Sequence, residues 1–548
     1  MENNSQKTEK KQHSIVAKGL SLSFLTLLSR IMGLLREMTK AKFLGTSAYS
    51  DAFGIAFMIP NLFRRLFAEN SISVAFIPTF KKYLQENDSE DGKKITQNFV
   101  SATFTLISFL TVVFVTVGII FTPLILRIFY GKENGETLNE ATILTRIMFP
   151  YLVVISIAAF CQGILNGLKI FAPSGFTPIL FNGLVVLATY LLAPHMANPA
   201  RAMAVGVIIG GIVQCIFQIP FVLHNDWKLT FTSLKTAFTN PGTITVIKLV
   251  VPTILGMACY QLNDLVSSTL ATHAGEGVVS SLQYSLRLQE LILGIFAVSI
   301  GTVILPDLSG FAQKANWSAF NDMLTQSIKI MALISIPITF YSYIMGENLI
   351  TLVFASGKFD RNSITMTLNV FRWHIVGLFF IAVNRIISPA FYAQGNTKLP
   401  TLAGIISFVV NMLVALVLVN FGFYAQDSMH KGEGIALALT IASAVNTIVL
   451  FIFLKKTPTI DVGSVVKSTL RYTVRMILFS VIAALPLYFF RDKLVSLFAG
   501  HNRFYSQGMP VLLSALYFFV IGVLLLLITR DPIVSKILAK FKRRTSGK

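Results

Sequence analysis

About fourteen apolar runs, each near twenty residues long, follow one another along the chain with short polar stretches between them. They lie at 15–36, 50–70, 98–123, 142–164, 174–194, 202–223, 245–270, 280–304, 324–346, 366–393, 400–421, 433–454, 472–490 and 509–529. An α-helix of ~20 residues crosses the ~30 Å hydrocarbon core of a bilayer. No water is present there to satisfy backbone N–H and C=O groups, so a single apolar run must satisfy them within itself, as a helix. The chain therefore reads as an all-α polytopic membrane protein with about 14 transmembrane helices. Its charge content agrees. Only 13% of the 548 residues are charged, against about 25% in a soluble domain.

The longest polar stretches are Lys81–Lys94, Arg127–Glu140, His224–Lys235 and Lys455–Lys467, and none is large enough for a soluble catalytic module. The net charge of +21 fits basic loops on one face of a membrane rather than a nucleic-acid surface. An even number of spans puts both termini on one side. With the N-terminus inside, that side collects Lys81, Lys82, Lys93, Lys94, Lys169, Lys455, Lys456 and the basic C-terminal tail. The other side holds fewer cations, among them Lys132, Arg201, Lys358, Lys431 and Arg491. The positive-inside rule then predicts both termini in the cytoplasm. The basic segment Met1–Lys18 reads as a cytoplasmic tail, not a cleaved signal.

A weak internal repeat accompanies the spans. Ile59–Pro78 and Leu286–Pro306 each carry arginine on an apolar helix, then a β-branched run ending in proline. Gly163–Asn182 and Ala390–Asn411 form a second pair at a similar offset. Six spans per repeat preserve orientation, so two pseudo-symmetric six-helix lobes around a central cavity are expected, followed by a C-terminal helix pair. The predicted division is a tail at 1–14, an N-lobe at 15–235, a C-lobe at 236–456, a helix pair at 457–530 and a basic tail at 531–548.

Ionisable groups within spans are the informative residues, because each costs at least ~2.5–3.5 kcal/mol at the bilayer centre. Arginine dominates: Arg30, Arg64, Arg65, Arg146, Arg287, Arg372 and Arg385, with Lys329. The acids are Asp51, Glu69, Asp264 and Glu290. A proton pump would need a chain of carboxylates. An excess of guanidinium groups, permanently charged and forked, suits a phosphate-bearing anion. Arg36, Lys40 and Lys42 read as helix-end cations that snorkel to the headgroups, and Arg146 and Arg372 begin spans and read likewise. Arg64 and Arg65 are adjacent and point about 100° apart; the residues leave open which of them faces a cavity. Arg30 and Arg287 lie deep in apolar sequence and are assigned to substrate rather than to structural ion pairs.

Catalytic constellations are missing from the sequence. The His residues are scattered, Cys161, Cys215 and Cys259 sit in separate apolar runs, and no nucleotide-binding loop or nucleophile elbow occurs. A transporter without covalent chemistry or a cofactor is expected, not an enzyme.

The motifs SRIMGLLRE (Ser29–Glu37) and SDAFGIAFMIPNLFRRLFAENSISVAFIP (Ser50–Pro78) resemble the MurJ (MviN) family of lipid II flippases. Phe176–Asn182, Arg287–Pro306, Phe354–Phe359 and Ala390–Pro400 extend the likeness over nearly the whole chain. The resemblance implies the multidrug/oligosaccharidyl-lipid/polysaccharide exporter fold, the bacterial inner membrane, and a role in peptidoglycan synthesis and cell shape. It implies lipid II, an undecaprenyl-pyrophosphate-linked disaccharide-peptide, as the partner, bound by a monomer among membrane lipids and moved outward by alternating access. It assigns substrate binding to Arg30, Arg36, Arg64 or Arg65, and Arg287, with Asp51 and Glu290 as supporting acids, which revises the snorkelling reading of Arg36. It also implies a groove on the last two helices for the polyprenyl tail. One departure stands out: family members can carry an acid immediately before the eighth-span arginine, and this chain has Leu286. The alternatives are a flippase for another polyprenyl-linked glycan, or a drug/cation antiporter of the same fold, whose cavity would be acidic and aromatic. A Na+ site at Asp264, Asn411 and Thr440 offers the oxygen ligands that hard cations take. Ala415 removes a second carboxylate from that face, and membrane potential is the favoured energy source.

Overall fold

A computed structural model describes residues 25–65, 75–86, 89–130, 135–457 and 459–535; the side chains of 136, 251–262, 264 and 295–303 also lie outside the description. Among the described residues every regular element is helical. Residues 25–44 form α1. The chain continues through α2 (Ala48–Phe63), α3 (Ile77–Glu86), α4 (Glu90–Tyr130), α5 (Gly135–Met148), α6 (Tyr151–Gly167), α7 (Ala172–Leu192), α8 (Pro199–His224), α9 (Leu234–Thr239) and α10 (Pro241–Ala274). Then come α11 (Val278–Gln313), α12 (Trp317–Phe354), α13 (Arg361–Val376), α14 (Leu378–Tyr392), α15 (Lys398–Asn420), α16 (Ser428–Lys455), α17 (Val462–Ser496) and α18 (Arg503–Ile528). They gather into two compact units, Met1–Glu276 and Gly277–Lys548.

Nine described stretches are long and apolar enough to cross a bilayer, and the bent pair α13–α14 makes a tenth. These ten coincide with ten of the predicted spans. The other four, 15–36, 50–70, 245–270 and 280–304, fall partly on residues or side chains outside the description; α10 and α11 cover the last two with 34 and 36 helical residues. Lipid as the solvent explains the surface. In α18 only 11% of the most apolar window is buried. Such an apolar exterior is tolerable only against acyl chains.

Helix starts follow local chemistry. Asn198, Asn240, Asn316, Asp360, Asp427, Asp461 and Asn502 each accept a backbone N–H in the first turn of the helix that follows, with Pro199 and Pro241 at first helical positions. Between helices, small residues permit close approach. A Cβ on Gly206 would lie 3.2 Å from the Val185 backbone, and one on Gly210 would lie 3.0 Å from the Phe181 carbonyl oxygen, so the Gly-x-x-x-Gly step of α8 seats directly on α7. In the first unit Phe76, Phe80, Phe99, Phe160 and Trp227 form the aromatic core that joins α3, α4 and α6. In the second unit α17 and α18 pack on α12 through Ala332, Tyr472 and Met476, and through Met345, Ala483 and Phe518. The 42° bend between α13 and α14 falls at Gly377, where the Thr440 hydroxyl donates to the Trp373 carbonyl at 2.7 Å. A carbonyl at the break is thereby satisfied from α16.

Candidate functional site

In the first unit α1 carries an apolar exposed stripe that ends at Lys42. Leu27, Ile31 and Leu35, spaced by four, are 51%, 46% and 40% exposed. At 100° per residue, Gly33, Glu37 and Lys40 fall on the opposite side, and Arg30 flanks the stripe, about 60° round the helix from Leu27. Arg30 is half-buried and has no hydrogen bond or ion pair among the described residues. Arg36 pairs with Glu37 at 2.7 Å and lies over the Phe57 ring of α2 at 5.3 Å. Arg36 therefore turns towards protein, in keeping with its reassignment away from the headgroups.

Lys40 departs from the snorkelling expectation. It is 2% exposed, its ammonium lies 5.9 Å from the Phe53 ring, and the charges of Glu37 and Asp51 act on it. The helix continues to residue 44 and stops at Gly45, which adopts φ +59°, so position 40 is a full turn inside. Lys42 behaves as expected for a helix-end cation: it is exposed and reaches Tyr190 of α7. Asp51 is 4% exposed on α2, where its charge acts on Lys40 and on the buried Tyr130 of α4. Arg64 and Arg65 follow α2 and are half-buried. Asn61 Oδ1 accepts from Arg64 Nε at 3.0 Å and Nη2 at 2.9 Å, which fixes the guanidinium beside its own helix.

In the second unit, Arg287 on α11 is half-buried, and its Nη1 meets Glu290 Oε2 at 3.3 Å. Its Nε is buried without a hydrogen-bond partner. With Leu286 in place of an acid, the next carboxylate along, Glu290, supplies a loose and mainly exposed counter-charge. The direction of Arg287 is set by residues the sequence reading did not single out. Ser285 Oγ lies 2.6 Å from Nδ1 of the buried His374 on α13, and Gln289 Nε2 donates to the His374 carbonyl. Ser285 and Gln289 are one turn apart and clamp one face of α11 to α13. Arg287, two residues from each, points to the opposite face. Arg372 sits three turns into α13 rather than at the start of a span, with its guanidinium 5.6 Å from the Tyr343 ring.

Of the predicted cation ligands, Asn411 is buried on α15 and Thr440 spends its hydrogen on the Trp373 carbonyl. The Asp264 side chain lies outside the described residues. Among the described residues no group of His, Cys, Asp and Glu could hold a metal.

Comparison with known proteins fixes what this arrangement belongs to. The family model described as "Lipid II flippase MurJ" matches residues 40–501. A curated relative from Treponema pallidum (strain Nichols), named a probable lipid II flippase MurJ, is 44% identical over 97% of this chain and 99% of its own length. The chain belongs to the MurJ family. A second MurJ, from Burkholderia cenocepacia, is 32% identical and covers 80% of this chain and 83% of its own. A solved MurJ in an inward closed conformation superposes with a TM-score of 0.76 at 25% identity, covering 93% of this chain and 99% of that one. An inward-facing multidrug transporter of the MOP superfamily reaches 0.64 at 16% identity, covering 80% and 99%, and shares the fold. Membership of the MurJ family makes this chain a transporter of the bacterial inner membrane. Arg30 and Arg36 precede the family-model match, and the 97% coverage of the Treponema relative extends beyond it.

Proposed function

We infer that the protein moves lipid II from the inner to the outer leaflet of the cytoplasmic membrane by alternating access, without making or breaking a covalent bond. The observation that carries this reading is the placement of charge on α1. Over its first three turns the exposed stripe Leu27, Ile31 and Leu35 is apolar, and Arg30 is half-buried beside it with no counter-ion among the described residues. A half-buried guanidinium without an acid is suited to a ligand that brings its own negative charge. Arg30 and Arg64 of the first unit and Arg287 of the second are assigned to the pyrophosphate, with Arg36 and Arg65 as further cations. Glu290 and Asp51 moderate the charge on Arg287 and Lys40. A cationic-drug carrier would need the reverse polarity. Both termini are assigned to the cytoplasm, the protein acts as a monomer, and membrane potential supplies the direction, with Na+ at Asp264, Asn411 and Thr440 as the competing energy source.

The test is replacement in cells. Bacteria depleted of their own lipid II flippase should survive on this chain and should accumulate lipid II accessible from outside. Survival without external lipid II, or selective export of another polyprenyl-linked glycan, would refute the assignment.

A further inference from the structure

The first four turns of α17 carry three cations in register. Lys467, Arg471 and Arg475 are spaced by four and drift only about 40° per step around the helix. Lys329 of α12 faces them, its ammonium 5.9 Å from the ring of Tyr472. Together with Ser464, Ser468 and Pro532 these residues line a cavity of about 350 Å³ within the second unit.

The charges here are unequal in their bonding. Arg475 is already neutralised: it meets Asp531 Oδ2 at 3.5 Å and donates to the Thr529 carbonyl at 3.2 Å. Asp531 is fully buried and accepts from Tyr472 and from the backbone N–H groups of Ile533 and Val534, so it belongs to the local architecture. Lys467 and Arg471 are exposed and have no ion pair or hydrogen bond among the described residues. Two uncompensated cations, the Lys329 ammonium of α12 and two serine hydroxyls therefore converge on one cavity, the chemistry that receives a phosphate.

What adjoins the cavity points to the bearer of that phosphate. Along α17 the cationic stripe gives way directly to exposed apolar residues: Leu470 is 60% exposed, Val474 48%, Leu478 58%, Ile482 51% and Leu485 53%. A soluble phosphate has no use for that face. An amphipathic lipid uses both, with its headgroup among the cations and its acyl chains along the helix.

We propose that Lys329, Lys467 and Arg471 form a binding site for the phosphate of an anionic glycerophospholipid, seated at the membrane surface where α17 begins. The site is separate from the cations assigned to transport and does not depend on the flippase reading. Ser464 and Ser468 line the same cavity, and a serine hydroxyl is a donor that suits a phosphate oxygen.

The experiment compares lipid binding to the purified full chain in detergent, followed by native mass spectrometry. The probes are phosphatidylglycerol, phosphatidylcholine and inorganic phosphate. Each surface cation adds roughly a fivefold preference for an anionic lipid. The wild type should therefore prefer phosphatidylglycerol, and Lys467→Gln with Arg471→Gln should weaken that binding about 25-fold while leaving phosphatidylcholine unchanged. A control with Lys228→Gln and Lys235→Gln removes the same charge from exposed positions in the first unit and should keep the preference. Arg471→Gln alone should give about a fivefold loss and serves if the double variant does not fold. Equal binding of both lipids, equal loss in the control, or displacement of phosphatidylglycerol by millimolar inorganic phosphate would overturn the proposal.

Discussion

Truncating Arg30 separates a ligand-binding cation from a structural one. Arg30 is half-buried on α1 and has no ionic or hydrogen-bonding partner among the described residues. Arg30→Ala therefore strands no acid, and the loss is limited to packing of the aliphatic stem, within about 1 kcal/mol of stability. If the guanidinium binds pyrophosphate, the variant loses charge-assisted hydrogen bonds worth about 1.5–3 kcal/mol. Flipping should fall roughly 10- to 150-fold. Arg30→Lys keeps the charge without the fork and should lie between. Arg201→Ala is the contrast. Its guanidinium holds Glu140 through Nε–Oε1 at 2.9 Å and Nη2–Oε2 at 2.7 Å, and the Glu140 side chain is only 10% exposed. Removing Arg201 leaves Glu140 with Asn198 and should cost about 1–3 kcal/mol, while flipping per folded molecule stays near wild type. The assays are thermal unfolding in detergent and flipping rate normalised to folded protein. Wild-type flipping by Arg30→Ala, or a loss of stability matching that of Arg201→Ala, would refute the reasoning.

Other outcomes follow from the geometry. Gly210→Leu should disrupt the seating of α8 on α7, because its Cβ already meets the Phe181 carbonyl; a melting temperature unchanged from wild type would contradict that packing. Cysteines introduced at positions 90 and 134 test the topology: labelling from outside should reach 134 and spare 90, and the reverse pattern would invert the assignment. Asp427 caps α16 by accepting the His430 N–H at 2.9 Å, and this bonding holds its carboxyl below the usual carboxylate range. Its contribution is present above the unfolded pKa of about 3.9 and is lost as pH falls through the lower folded value. Protection of the first-turn amides of α16 from hydrogen exchange, taken relative to the free-peptide rate at each pH, should fall only in that acid window, and Asp427→Ala should abolish that fall. A protection factor unchanged through that window in the wild type would remove the carboxylate from the capping role.

The crossings were legible because lipid imposes a length and a polarity that a single sequence displays. Ten predicted spans reappear among the described residues for that reason. Helix ends were less legible. Lys40 read as a terminal cation because polar residues cluster around it, whereas α1 is stopped by the left-handed Gly45, so the lysine is buried against Phe53. The aim of Arg287 was out of reach for a different reason. It depends on uncharged Ser285 and Gln289 fastening α11 to His374, a partner some ninety residues away, and no local pattern couples those positions. The bend at Gly377 was likewise hidden, since the apolar run 366–393 is continuous and only the approach of Thr440 reveals the break.

The most direct test of the account is the initial rate at which lipid II appears on the far leaflet of vesicles containing the purified chain, with membrane potential and sodium set independently. The account predicts flipping that rises with an inside-negative potential, persists without sodium and collapses in Arg287→Ala. Flipping indifferent to potential and lost only on sodium removal would contradict the energetic assignment, and no flipping of lipid II under any gradient would contradict the function itself.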